Sequence, residues 1–227
     1  MRKRSKRYQE NQKVLGGRRS APLGEAVALL KKLKPPKFDE TVDIAVRLGI
    51  DTKKSDQIVR GAISLPHGVG KTARVICFAK GDRLDAAKAA GAVEVGGEEL
   101  AKRITDGWFD FDVVVAAPDM MGIVGRLGKV LGPQGKMPSP KNGTVTPDVG
   151  AAVREFAAGK VQVRADAHGI VHAPVAKRSF APEKIVANIE AILGFIKSQK
   201  PAASKGVYIQ SVALSTSMGP GLFVEGV

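Results

Sequence analysis

The sequence predicts a two-domain chain of mixed α/β and α+β class. A discontinuous α+β domain with an open antiparallel-type sheet is expected to hold an inserted Rossmann-like α/β domain, the two joined by a two-strand hinge. Three observations predict this. Strand-like segments near both ends alternate apolar and polar residues, as in a sheet with one solvated face, whereas those in the middle are short unbroken apolar runs that suit a parallel sheet covered on both faces. Strands and helices alternate in the middle, in the order of a βαβ chain. The charge divides the same way: residues 1–67 carry a net +9, residues 160–227 a net +4, and residues 68–159 only +1.

The elements follow in chain order. The opening "MRKRSKRYQENQK" is basic with no apolar segment behind it, unlike a secretory signal; Arg2 to Arg7 read as a basic arm. Ser20 and Pro22 are expected to open a helix with Leu23, Val27, Leu30 and Leu33 as its apolar stripe. Lys31, Lys32 and Lys34 lie in its last turn, where cations suit the macrodipole, and Pro35-Pro36 stop it. "TVDIAVRLGID" alternates Val42, Ile44, Val46, Leu48 and Ile50 against Asp43, Arg47 and Asp51, a half-buried strand.

"LPHGVGKT" (Leu65 to Thr72) resembles the end of a phosphate-binding loop, but the first glycine position is Leu65, and "ARVICFAK" behind it reads as a strand where that motif needs a helix. The glycines instead read as a flexible joint. In the middle segment "RVICFA" and "DVVVAAP" are strands, and "GDRLDAAKAA", "GEELAKRI", "MMGIVGRLGKVL" and "DVGAAVREF" are helices. Cys77, inside the first of these strands, reads as a reduced core residue. Beyond it, "VQVRADAHGIVHAPV" reads as a hairpin with His168 at its tip. Pro182 opens a helix bearing Ile185, Ile189, Ile192, Leu193 and Ile196 on one side, and "GVYIQSVALSTS" is a strand with a bulge near Ser211. The domains are therefore drawn as 1–67 with 160–227, and 68–159, with Gly68, Gly70 and Gly159 as hinge residues.

The 227-residue chain has a net charge of +14 and a pI near 10.0, which points to nucleic acid as partner. No apolar run approaches the about 20 residues of a membrane span, and no basic amphipathic helix with exposed aromatics suggests a membrane surface. Asp106, Asp110, Asp112 and Asp119 cluster around "TDGWFDFD", but no nucleophile or histidine lies near enough in sequence to complete a catalytic set, and Asp and Gly suit turns. His168 and His172 in "HGIVH" lack a cysteine or acidic partner at metal-ligand spacing, and His168 is expected to contact phosphate. Gly122, Gly125 and Gly128 share a helix face and read as a close-packing surface, while "GPQGKMPSPKNGT" reads as a loop able to touch RNA backbone. "STSMGPG" (Ser215 to Gly221) ends a strand with hydroxyls, a methionine and glycines, groups suited to reading RNA by shape and 2′-OH.

"SDQIVRGAISLPHGVGK", "GRLGKVLGPQGKMPSPKNGTV", "HAPVAKRSF" and "STSMGPG" occur in an order and spacing that resemble the bacterial large-subunit ribosomal protein L-one family, the stalk proteins, over nearly the whole chain. The resemblance implies the discontinuous two-domain arrangement and binding to the stalk of large-subunit ribosomal RNA. It implies a role in releasing deacylated tRNA from the exit site, and repression of the protein's own operon mRNA. It also implies a non-enzymatic, cytoplasmic protein with no cofactor, metal or membrane partner, monomeric when free. Carried onto this sequence, the RNA surface comprises Phe38, Thr41, Ser211, Ser217, Met218 and Gly219. The family usually has threonine where Ser217 stands, so the hydroxyl remains and a methyl is lost. Charge alone adds Lys37, Lys54, Arg60 and the arm Arg2 to Arg7 as phosphate contacts. Two alternatives are an RNA-binding regulator off the ribosome and a nucleotide-dependent enzyme built on the middle domain.

Overall fold

The computed structural model describes residues 4–54, 56–202, 204 and 206–226. They form two compact units, one from the residues up to Gly70 together with those from Gln162 onward, the other from Lys71 to Val161. The first unit begins with α1 (Lys6–Leu15), β1 (Ser20–Pro22), α2 (Leu23–Lys32), β2 (Thr41–Leu48) and β3 (Arg60–Ile63). Then come β4 (Val75–Phe78), α3 (Asp82–Ala89), β5 (Glu94–Gly96), α4 (Glu98–Thr105), β6 (Val113–Ala116), α5 (Met121–Arg126), α6 (Gly128–Leu131) and α7 (Val149–Ala157). The chain continues with β7 (Val161–Arg164), β8 (Ile170–Lys177), α8 (Pro182–Ser198), β9 (Ile209–Thr216) and β10 (Leu222–Glu225). No helix among the described residues is long and apolar enough to cross a membrane.

In the first unit a five-stranded sheet runs β1-β10-β9-β2-β8, antiparallel except for the parallel edge pair β1–β10. The alternation expected of β2 is present: Val42, Ile44, Val46 and Leu48 are buried, while Asp43 and Arg47 are not; Ile50 lies past the strand end. Helices α2 and α8 pack together on the buried face, and α8 contributes Ile185, Ile189, Ile192, Leu193 and Ile196 to the core. The other face presents Asp43, Arg47, His172, Ser211 and Ser215. The β2–β9 register skips Gln210, pairing Arg47 with Ser211 and Leu48 with Ile209, so the bulge expected near Ser211 is present.

Five expectations are corrected. The basic arm is in part a helix: the Ser5 hydroxyl accepts the Tyr8 N–H at the start of α1, and Gly16, at φ 60°, ends it; Arg2 and Lys3 lie outside the described residues. Ser20 and Pro22 do not open α2 from within. They form β1, with Ser20 opposite Phe223 and Pro22 opposite Glu225, and helix begins only at Leu23, because a partner strand two hundred positions away claims the residues ahead of it. Lys34 also lies beyond α2; as the residue before Pro35 it is pushed out of helical geometry. The hairpin at His168 is real only at its tip, where Gly169 donates to Asp166, Asp166 to Ile170, and Ala165 bridges Val171. Its arms then part: β7 joins β3 in a separate two-stranded sheet, and β8 joins β2. Lastly, the glycine-rich helix is two short helices, and a Cβ built at Gly122, Gly125 or Gly128 would meet nothing within 4 Å. They are not a packing face.

In the second unit β5-β4-β6 form a parallel sheet. Every residue of β4 is buried, as a strand covered on both faces requires. Cys77 is fully buried and its thiol is pushed up to about 12 by desolvation, the state of an inert core cysteine.

Asn188, also fully buried, is a polar fixture of the first unit. Its amide donates to the carbonyls of Gly68 and Val175, each at 2.9 Å, and its oxygen accepts the His67 N–H at 3.2 Å. It ties α8 to β8 and to the segment leaving the unit. Replacing it leaves buried main-chain groups unpaired. Asn188→Leu, nearly isosteric, should therefore destabilise the first unit by about 2–4 kcal/mol in urea unfolding; a loss below the error of the measurement would show that water substitutes for the amide.

Candidate nucleic-acid interface

The residues expected to touch RNA fall into two groups at opposite ends of β9. The first is at its C-terminal end, beside the start of β2. There Ser217 extends the strand pairing by one rung: its N–H donates to the Thr41 carbonyl at 3.1 Å, and its hydroxyl accepts the Thr41 N–H at 3.2 Å. The Thr41 hydroxyl accepts from Lys177 at 3.0 Å. Met218 and Phe38 project outward, 53% and 54% exposed. Thus Phe38, Thr41, Ser217, Met218 and Gly219 are gathered around one strand end, with Lys37 exposed beside Phe38.

Beneath them lies an ionic frame that is barely visible in the sequence. Glu40 is 1% exposed. One carboxylate oxygen accepts the Met218 N–H at 3.0 Å, and the other accepts from Arg178 at 3.0 Å. Arg178 also donates to the carbonyls of Lys31, at 2.9 Å, and Leu33. Arg7 donates to the Met218 carbonyl at 3.2 Å, with its other terminal nitrogen 4.0 Å from Glu40. One terminal nitrogen of Arg7 is thus engaged inside the protein. Asp39 accepts both the N–H and the hydroxyl of Ser179. The partners of Glu40 are 138 and 178 positions away, beyond any local pattern. The only available signal was a pair of opposite charges flanking apolar strands, in "KFDET" and "VAKRSF".

Gly219 has a role the sequence did not suggest. A Cβ there would overlap the hydroxyl of Thr216, which is buried, and would touch Leu33 at an ordinary 3.5 Å. Gly219→Ala should lower stability by about 1–3 kcal/mol through overpacking, and adding Thr216→Ala should restore part of it. A thermal melt of both variants checks this; a single variant as stable as the parent would remove the overlap argument.

The second group is at the other end of β9. Ser211, six residues before Ser217, is about 20 Å from it along a strand rising ~3.3 Å per residue. It pairs with Arg47. Near it a cleft of about 450 Å³ is lined by Arg47, Gly49, Asp51, His168, Val207 and Gln210, among others. His168 is exposed at the turn, its N–H held by the Asp166 carboxylate at 2.8 Å. The same carboxylate accepts the Ile170 N–H at 2.8 Å, and these two bonds hold Asp166 below its ordinary 3.8. Such a lowered group adds stability above its unfolded value and loses it as pH falls through the folded one. In an NMR acid titration the His168 and Ile170 amides should therefore shift with a midpoint below 3.8, and Asp166→Asn should abolish the step. A midpoint at or above the ordinary value would contradict the bonding. Lys54 is exposed, and Arg60 is half-buried within β3 and already has an interaction partner. The sheet thus brings some predicted residues together and separates others: it does not make Ser211 and Met218 neighbours.

In the second unit Asp110, Asp112 and Asp119 are ion-paired. Asp112 accepts from the Arg74 N–H and from Lys71, Asp110 pairs with Arg74, and Asp119 pairs with Arg83 at 2.7 Å. Asp106 follows the last turn of α4. In the glycine-lysine loop, Lys136 is turned inward, donating to the Phe111 carbonyl at 2.6 Å and lying 4.6 Å from the ring centre. Lys129 and Lys141 are exposed. At the crossings Gly68, Gly70 and Gly159 all have positive φ (62°, 77° and 103°), and a Cβ at Gly70 would press on Phe180. The model of the Ribosomal protein L1p/L10e family matches residues 30–220.

Proposed function

Because the chain belongs to the Ribosomal protein L1p/L10e family, we propose that it binds the stalk region of large-subunit ribosomal RNA through the strand end at Met218. Membership makes it an RNA-binding ribosomal component of translation and not an enzyme. The observation that carries the specific reading is the pair of half-exposed apolar side chains, Phe38 and Met218, rooted on a buried ionic frame and flanked by hydroxyls. Apolar groups held at the surface of a strongly basic unit suit packing on a ribose or base face, and hydroxyls suit the 2′-OH. Ser211 and His168, with Arg47 paired to Ser211 on the neighbouring strand, form a second contact area about 20 Å along the same strand, a separation that suits one continuous RNA footprint. Lys37, Lys54 and Arg60 add to the positive field that draws the backbone.

In this reading the protein works in the cytoplasm as part of the large subunit and is a monomer when free. It helps deacylated tRNA leave the exit site. It also represses its own operon mRNA, which carries a similar RNA structure, whenever protein exceeds ribosomal RNA. The crossings serve as a hinge: positive φ at Gly70 and Gly159 supports them as pivots, while Gly68, held by Asn188, anchors the near side.

The test is binding of a stalk RNA fragment and of a scrambled duplex of equal length across a salt series. Shape reading predicts a preference for the stalk fragment that persists at high salt, whereas phosphate contacts alone predict equal affinities and equal steep slopes. Phe38→Ala and Met218→Ala should each weaken stalk binding about tenfold, the scale of one lost stacking contact, with melting temperature unchanged. Unchanged affinity in both variants would place the RNA elsewhere.

A further inference from the structure

We propose that Arg7, on the N-terminal helix α1, is a positioning residue for RNA recognition: its guanidinium clamps the main chain of Met218 against buried Glu40 and so fixes the direction in which the Met218 side chain projects. This rests on the reading that Met218 contacts RNA.

Met218 is followed by glycine and proline at a strand end, where a chain would ordinarily fray. Instead both of its main-chain polar groups are held. The N–H donates to Glu40 at 3.0 Å, and the carbonyl accepts from Arg7 at 3.2 Å. The two holders are themselves 4.0 Å apart, with side chains only 2% and 22% exposed. The peptide planes on both sides of the Met218 Cα are thereby fixed, so its exposed side chain starts from a set root. A recognition group oriented before binding loses less freedom on binding.

The clamp is anchored in turn. Asn11, 1% exposed, exchanges two hydrogen bonds with the backbone of Lys34, accepting its N–H at 2.7 Å and donating to its carbonyl at 3.4 Å. Glu10 pairs with the Lys34 amine at 2.7 Å. Lys34 lies on the short segment that leads to Phe38. The same helix therefore secures the approach to both exposed apolar residues. Residues 6–15 fall outside the span matched by the family, 30–220, so this coupling belongs to this chain and is not supplied by the family assignment.

The competing role for Arg7 is a direct phosphate contact. A lost phosphate contact weakens binding uniformly across sequences and lowers the salt slope by about one; lost positioning affects only the RNA that is read by shape. Arg7→Leu should therefore weaken the stalk fragment about tenfold at every salt concentration with the slope unchanged, and leave the scrambled duplex unaffected. Glu40 keeps Arg178, so the fold should hold. In the protein without RNA, the ¹³C-methyl resonance of Met218, assigned with Met218→Leu, should shift and broaden in Arg7→Leu. Arg7→Lys keeps the charge but not the planar fork, so it should retain the slope and lose part of the stalk preference.

A slope lowered by one with both RNAs weakened alike, or full stalk preference in Arg7→Lys, would overturn the proposal. So would an unchanged Met218 methyl resonance. That resonance is read without RNA, so it decides the clamp even if the parent protein shows no stalk preference, a result that would instead remove the RNA reading of Met218.

Discussion

The strand end depends on one buried carboxylate. Glu40 sits where five segments converge: the end of α2 through Arg178, the start of β2, the end of β8, the end of β9 at Met218, and α1 through Arg7. A charge this deeply buried is tolerated only when paired and hydrogen-bonded, here to Arg178 at 3.0 Å, and removing the hydrogen-bonded partner of such a pair costs about 3–5 kcal/mol. An apolar residue could fill the same space, but it could not dictate which main-chain N–H comes to it. The carboxylate trades stability for a defined geometry, and that geometry is what places Met218, Ser217 and Thr41 side by side.

The same device recurs in neutral form at Asn188. There, too, a buried polar side chain on one element collects main-chain groups from others, and it does so where the chain leaves the unit. Together the two residues secure the sheet at the strand end that carries Met218 and at the segment containing Gly68. The surface between them, on the uncovered sheet face, is small and polar: Asp43 flanked by Lys177 and His172, then Ser211 and Ser215. Burial pushes the Asp43 carboxyl up while Lys177 and His172 draw it down. The sheet face is thus mixed in charge, and the net positive field comes from its margins.

Much of the fold was legible because its signals are local. The alternation of β2, the apolar stripe of α8, the unbroken runs of β4 and β6 and the left-handed glycines each follow from spacing along a few consecutive residues. The candidate site was half legible. Phe38, Met218 and the hydroxyls stood out as groups that can touch RNA. The misreadings share a cause: each concerned a residue whose state is fixed by something distant. Ser20 and Pro22 carry capping chemistry, yet β10 recruits them as a strand. Gly122, Gly125 and Gly128 carry helix-packing spacing, yet no neighbour approaches them.

Sequence alone determined the class of most segments, the basic character of the two ends, the buried cysteine and the family. Those are properties of composition and short-range periodicity, which the chain carries whether or not it is folded. Tertiary structure alone decided what supports the recognition residues. Glu40 meets Arg178, Met218 and Arg7 only because β2 lies between β8 and β9 and α1 folds back onto their ends, contacts spanning 33 to 178 positions. A buried ion pair has no sequence signature of its own: the same letters on a solvated surface would read identically, and only burial, which removes water as a competitor for hydrogen bonds, makes them choose each other.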